Sequence, residues 1–507
     1  MENDTATVIV GERVRSKAEL LARARRAACG LAGLGVREND AVALLLRNDF
    51  AFLEATHAAN IIGAYAVPLN WHASPDEISY MLGDSKPKVL VVHSHLLDPV
   101  RHVIPAGCAV LVVQAPDAPD VNPLVAAPHT DIDWDRWLAA HAEWDKPAQP
   151  PRTSWIYTSG TTGRPKGVRR APATPEQAKA MRDLFRIVYG CRDGMRSYVG
   201  GPLYHASPNA FARQGLAMAD VVVLSSRFDP EELLRQIDRH RLTTLVMVPT
   251  FFVRLLKLPE DVRRKYDVSS LELVLHTGAP CPPDIKRAMI AWWGPVLIET
   301  YGGSETGIAT VCTSHDWLSR PGTVGRVAPG GTIKIFDENG REQPPGVSGE
   351  IYARSPAYPD FNYHGRDDDR RSVEIDGLIT CGDVGYLDTD GYLFLNDRKR
   401  DMIISGGVNI YPAEIEGVLQ SCPGVHDCAV FGIPDDEFGE RIYAAVQRDA
   451  GAALSEDEVR NFVRERLAGF KVPREVVFHD TLPREESGKI FKRKLREPFW
   501  TGRSTQI

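Results

Sequence analysis

The sequence predicts an α/β protein: a large N-terminal domain of stacked αβα layers with a β-rich subdomain, then a small α+β domain. Three observations carry this. The chain has 507 residues, and a single hydrophobic core stops growing near roughly 250–300 residues. Between about residues 220 and 301, buried strand patterns alternate with helical ones, which argues for a largely parallel sheet covered on both faces. Residues 320–396 are rich in Gly and Pro and alternate like strands. The last ~110 residues are enough for an independent domain, with the boundary set at 397/398.

In chain order, Ala41–Leu46, Lys88–His93 and Ala109–Val113 read as strands, and Phe50–Ile62 has helical apolar spacing. Residues 115–152, with many Pro, Ala and Asp, read as loop. Thr153–Tyr157 and Val221–Leu224 are strand-like. Asp229-Pro230-Glu231-Glu232 supplies an N-cap, a proline at the first helical position and two acids in the first turn. Leu245–Val248 is a strand, with Thr250 expected to cap the next helix. Leu271–Leu275, a helix from Pro283 to Trp292 and Val296–Glu299 complete the series. Thr332–Phe336, Gly349–Ala353 and Tyr392–Leu395 form the β-rich part, and Ala413–Leu419 is a helix of the last domain. Ligands of such sheets sit beyond the strand carboxyl ends, here the loops after Thr158, Leu275 and Thr300.

Sixty basic and sixty-seven acidic residues leave a formal charge of −7, so there is no global field for nucleic acid. No apolar run approaches the ~18–20 residues of a membrane span. Met1–Asp4 lacks a basic region followed by an apolar one, so no secretory signal is expected. Eight scattered cysteines without a Cys-x-x-Cys pair fit reduced thiols in a cytoplasmic protein. His93 and His95 have no third ligand and are assigned no metal.

The most informative stretch is Tyr157-Thr158-Ser159-Gly160-Thr161-Thr162-Gly163-Arg164-Pro165-Lys166-Gly167. Glycines let backbone amides approach phosphate oxygens, hydroxyls donate to them, and a lysine offsets their charge. It is not a Walker loop, because Pro165 occupies the sixth position from Gly160. In Tyr301-Gly302-Gly303-Ser304-Glu305, a tyrosine offers an aromatic platform and a carboxylate a hard oxygen ligand. A hydrolase elbow fails there, since Thr306 stands where Gly-x-Ser-x-Gly needs glycine.

The phosphate-type string resembles that of the adenylate-forming superfamily: acyl-CoA synthetases, aryl-CoA ligases, peptide-synthetase adenylation domains and luciferases. Further motifs recur in order over nearly the whole chain. The resemblance implies ATP and Mg2+ as cofactors and CoA as co-substrate. It implies ATP contacts from Thr158 through Gly163, Lys166, Gly278-Ala279-Pro280 and Glu299 through Gly302. Tyr301 would stack on adenine, while Glu305 and Thr158 would hold magnesium. Ser304 replaces the usual threonine and keeps the hydroxyl. Asp383, in Thr380-Cys381-Gly382-Asp383, and Arg398 would take the ribose. Arg400 matches the hinge of a mobile C-terminal domain, Gly406 and Gly407 the CoA contact, and Lys489, in Ser487-Gly488-Lys489-Ile490, the adenylating lysine. His205, in Gly200-Gly201-Pro202-Leu203-Tyr204-His205, and Gly303 would line the acid pocket, and Lys471 would face the CoA phosphates. Taken singly, His205 fits a structural role and Lys471 a solvated surface equally well, and Lys489 fits a solvated basic tail better.

By the same resemblance the reaction is activation of a carboxylic acid to an acyl-adenylate, then thioester formation with CoA, with catalysis by Lys489, Glu305 and Lys166. Residues Tyr198–Arg213 contain no acid to hold a substrate ammonium, which argues against an amino-acid-activating domain. No carrier-sized segment follows Lys489, so free CoA is the expected acceptor, and an acyl-AMP ligase serving a separate carrier protein is the alternative. A degenerate nucleotide-binding regulator is disfavoured because every expected polar catalytic position is filled. Small residues with Tyr204 and Phe211 in the pocket segment favour an apolar fatty, aryl or alicyclic acid. The sequence is silent on oligomeric state, and a homodimer stays open.

Overall fold

Val221–Leu224 forms a strand as read, and Asp229 accepts from Glu232 N at 2.8 Å to cap the helix Pro230–His240. The computed structural model describes residues 6–114, 131–158, 165–398, 401–405, 408–435, 438–484 and 490–501. Strands Arg196–Val199, Val221–Leu224, Thr244–Met247, Leu273–His276 and Leu297–Gly303 run parallel. Thr7–Val10 adds to them beside Val221–Leu224, a pairing between distant segments that no local pattern announces.

The β-rich part is not a separate layer. Gly307–Thr313 folds back antiparallel on Leu297–Gly303, and Thr323–Val327, Tyr392–Arg398, Leu378–Leu387, Gly349–Arg354 and Thr332–Phe336 follow, extending one sheet to 14 strands. A second, all-parallel sheet holds Tyr65–Pro68, Ala41–Leu45, Val89–His93, Ala109–Val113 and Ile132–Asp133. Strands from Ile403 onward pair only among themselves among the described residues: Val408–Ile410, Ile403–Ser405, Gly439–Arg448, Val425–Asp435 and Glu475–His479.

The largest core joins the two big sheets. It combines Val8 and Val10 of one, Val42 and Leu44 of the other, and helix residues Leu20, Phe50, Phe52, Phe211 and Leu216. Phe50–Ile61 is apolar on nearly all sides, as a helix between two layers must be. Its one acid, Glu54, is fully buried and held by Arg15 at 2.5 Å, Arg23 at 2.6 Å and the Trp134 indole at 2.9 Å; a buried charge survives only when paired in this way.

Two expectations fail. The stretch 115–152 is not all loop, because Trp134–Ala139 is a helix capped by Asp133, with Trp134 and Trp137 buried in the main core. Thr250 is not a cap: the helix Pro249–Leu256 starts one residue earlier, with proline at its first position and no side-chain cap. Proline tolerates that position because its missing N–H would have no helical partner. All eight cysteines are free thiols. No helix among the described residues is long and apolar enough to cross a membrane.

Candidate active site

The residues that matter come from two places: the carboxyl ends of the parallel strands Leu273–His276 and Leu297–Gly303, and a separate antiparallel sheet of Ile156–Thr158, Lys166–Arg170 and Phe361–Tyr363. Contrary to expectation, Thr158 therefore does not end a strand of the parallel sheet. Thr158 ends the strand Ile156–Thr158 and pairs with Lys166 at the start of Lys166–Arg170. Its hydroxyl donates to Glu305 Oε1 at 3.2 Å, and the Tyr363 hydroxyl donates to the same oxygen at 3.0 Å. Burial, reinforced by the Glu305 charge, pushes the Tyr363 hydroxyl far above the ordinary phenol range, so it stays a donor. A carboxylate ringed by hydroxyls is an all-oxygen donor set, which fits a hard cation such as magnesium. Lys166 is buried beside it, with Nζ 3.1 Å from Asp369 and 5.2 Å from the Tyr363 ring centre.

Next to this cluster, the Tyr301 hydroxyl donates to Asp383 Oδ2 at 2.9 Å. Tyr301 lies on the strand Leu297–Gly303, where a register shift between Tyr301 and Gly302 re-aims the strand end. Thr277 Oγ1 donates to Thr300 O at 2.8 Å and ties the neighbouring strand end to it. Gly278 follows with φ +87°, a left-handed conformation that favours glycine, and open space where a side chain would stand. Asp383 and Arg398 are register partners on adjacent strands. A tyrosine hydroxyl paired with a carboxylate thus stands close to a second hydroxyl–carboxylate pair, with a left-handed glycine at the neighbouring strand end.

Residues 2–358 match the AMP-binding enzyme family, and residues 414–489 match the AMP-binding enzyme C-terminal domain. The chain belongs to the AMP-binding enzyme family. A feruloyl-CoA synthase of Amycolatopsis sp is 33% identical to this AMP-binding enzyme over 95% of this chain and 93% of its own. A fatty acid–[acyl-carrier-protein] ligase, ScoC, of Streptomyces coeruleorubidus is 32% identical over 98% and 94%. Among solved structures, the o-succinylbenzoate coenzyme A synthetase (MenE) of Bacillus subtilis in complex with ATP and magnesium ion is similar at a TM-score of 0.81, 29% identity, and 98% and 97% coverage.

In this AMP-binding enzyme, Thr158, Lys166, Tyr301, Glu305 and Asp383 come together. Ser159, Gly160, Thr161, Thr162, Gly163, Arg400, Gly406, Gly407 and Lys489 lie outside the described residues, as does the Arg398 side chain. Glu299 is not offered to a ligand through its carboxylate. The strand pleat turns it under the helix Pro283–Trp293, where Lys286 Nζ meets it at 2.5 Å. Lys471 is likewise engaged, with Glu414 oxygens at 2.7 and 2.6 Å.

Gly303 does not face open space, since a Cβ there would lie 2.5 Å from Cys381 Sγ. Gly303→Ala is therefore expected to disturb the adjoining Glu305 and lower ATP turnover. Cys381→Ala in the same chain should restore much of it, read by ATP–pyrophosphate exchange. An unrescued double variant would mean that the thiol is not the obstacle.

His205 precedes the helix Ala206–Met218, its ring centre 4.5 Å from that of Tyr204. Two buried asparagines that no motif pointed to shape this segment. Asn48 donates to Gly201 O and Ser225 O at 2.9 Å each and accepts from Leu203 N at 2.9 Å, while Asn209 donates to Leu203 O at 3.0 Å. Tyr363 and Asp369 were also missed, since both meet Lys166 from far along the chain. His93 lies in the second sheet, 3.4 Å from Asp49, and accepts from Arg47 N at 3.1 Å, a structural setting.

Proposed function

We propose that this chain is an acid–thiol ligase that activates a carboxylic acid with ATP and passes the acyl group to CoA, releasing pyrophosphate and AMP. The observation that carries this reading is the pairing of Thr158 with Glu305 beside the pairing of Tyr301 with Asp383. Tyr301 packs on adenine, and Asp383 with Arg398 accepts and binds the ribose hydroxyls. Glu305 and Thr158 hold magnesium, which when bound neutralises polyphosphate charge. Lys166 leaves Asp369 for a phosphate oxygen, a compact ammonium trading one anion for another. Lys489 meets the substrate carboxylate and the α-phosphate.

A carboxylate is inert to thiols because its leaving group would be oxide. Its oxygen attacks the α-phosphorus, pyrophosphate leaves, and the thiol then displaces AMP from the acyl-adenylate. Positioning and charge neutralisation supply the catalysis. Lys489 must withdraw before the thiol enters, so the domain beginning at 398 turns about Arg400, with Gly406, Gly407 and Lys471 serving CoA. Among the described residues, the confinement of the strands from Ile403 onward to a sheet of their own supports that division. His205 and the Gly200–Tyr204 segment border the acid, for which we read an apolar fatty, aryl or alicyclic compound, and the enzyme works in the cytoplasm.

The ScoC similarity favours one second reading, delivery of the acyl group to a carrier protein. A screen over a broad panel of carboxylic acids separates the two. AMP formation that depends on free CoA supports the synthetase, adenylate that accumulates until a carrier is added supports the alternative, and no ATP–pyrophosphate exchange with any acid refutes both.

A further inference from the structure

Arg170 ends the strand whose first residue is Lys166, and its side chain turns inward rather than to solvent. Nη1 donates to Pro359 O at 2.6 Å, and Nη2 donates to Ser304 O at 2.6 Å and Glu305 O at 2.8 Å. The guanidinium lies over the rings of Tyr358 and Phe361, at 5.0 and 5.7 Å from their centres. Its own carbonyl accepts from the Tyr65 hydroxyl at 2.9 Å, so the strand end is anchored on both sides.

A buried cation is costly unless its donors are satisfied. Here they are spent on three backbone carbonyls. Two of these flank the Glu305 Cα, one before it and one after. One nitrogen of a rigid planar fork therefore pins both peptide groups around Glu305. With the two peptides held, the direction of the Glu305 side chain is held too. Its carboxylate is then delivered to the hydroxyls of Thr158 and Tyr363. Thr158 pairs with Lys166 on the very strand that Arg170 terminates, so one strand sets the spacing between lysine, hydroxyl and carboxylate.

We infer that Arg170 is a positioning residue for the metal-holding carboxylate of Glu305, acting from beneath without touching nucleotide. The inference rests on the assignment of Glu305 to magnesium. Supporting groups behind a metal ligand typically contribute roughly 10–100-fold to metal affinity.

The test is calorimetric titration of ATP into the full chain at a series of MgCl2 concentrations, for wild type, Arg170→Gln, Arg170→Lys and Glu305→Gln. Thermal unfolding is followed alongside. Arg170→Gln is expected to raise the MgCl2 concentration for half-maximal ATP affinity by roughly 10-fold or more. Arg170→Lys keeps the buried charge and folds more readily; it is expected to give a smaller shift in the same direction. If Glu305→Gln shifts the magnesium dependence while Arg170→Lys and any folded Arg170→Gln match wild type, this inference is overturned and the Glu305 assignment stands. If Glu305→Gln leaves the magnesium dependence unchanged, the assignment itself falls and the inference with it.

Discussion

Lys489→Ala is expected to slow acyl-adenylate formation by about 10²–10³-fold, the scale seen when one preorganised donor to a developing oxyanion is removed. The same variant should still release AMP from supplied acyl-adenylate and CoA at the wild-type rate. The asymmetry follows from where charge gathers. During attack on the α-phosphorus, negative charge sits on the incoming carboxylate and on the phosphoryl oxygens together, and an ammonium on a long stem meets both. In the second half-reaction the carbonyl is already activated and AMP is a good leaving group, so the lysine has no charge left to bridge. ATP–pyrophosphate exchange reads the first step and thioester formation from synthetic acyl-adenylate reads the second. Equal loss of both would show that Lys489 does not act at adenylation alone, and would remove the reason for the small domain to turn.

What was legible in the sequence was local. Val221–Leu224 and the Asp229 cap could be read because strand pattern and capping chemistry lie within a few residues of each other. The family could be read from the phosphate segment and Tyr301–Glu305 because each motif is contiguous. What stayed hidden depends on partners far along the chain. Residues 320–396 read as a small β-rich subdomain, but that reading does not say how their ladder continues the parallel sheet. Whether two strands share a sheet is decided by edge pairing, and alternation along a strand is silent about that. The helix Trp134–Ala139 is too short for a period to emerge, and burial of its two tryptophans decides it.

The site divides in the same way. Glu305 is readable, whereas Tyr363, Asp369 and Arg170, which orient or balance it and Lys166, are an aromatic, one acid of three in a row, and one arginine of a pair. No residue type marks them. The setting of Glu299 stayed hidden for a related reason. The residue lies within a motif-bearing strand, but the pleat points its carboxylate into the layer below.

That carboxylate underlies the largest stability effect expected here. Lys286 and Glu299 are both buried and meet at 2.5 Å. Removing one partner of such a pair leaves a charge in a dry interior, at a cost of about 3–5 kcal/mol. Lys286→Met should lower stability by that amount in urea unfolding. Lys286→Met combined with Glu299→Met should recover most of it, since an apolar pair of similar volume needs no hydration.

The dependence on pH has a definite sign. Burial raises the Glu299 carboxyl above its usual value of 4.5, and Lys286 opposes the rise. Without the lysine the folded-state value climbs further, so the folded protein binds a proton that the unfolded chain releases. Stability of Lys286→Met then falls as pH rises from the unfolded value through the raised one. The deficit against wild type should narrow as pH falls towards the usual carboxyl value of 4.5 and widen as pH rises above it. His276 does not reverse this. Burial is the first cause that holds its imidazole, 4.0 Å from the Glu299 oxygen, well below the ordinary range, and the variant leaves that burial in place. Because Tyr301 stands two residues beyond Glu299, ATP affinity should weaken in the single variant and return in the double. A deficit that does not change with pH would place the loss in packing rather than in the buried charge.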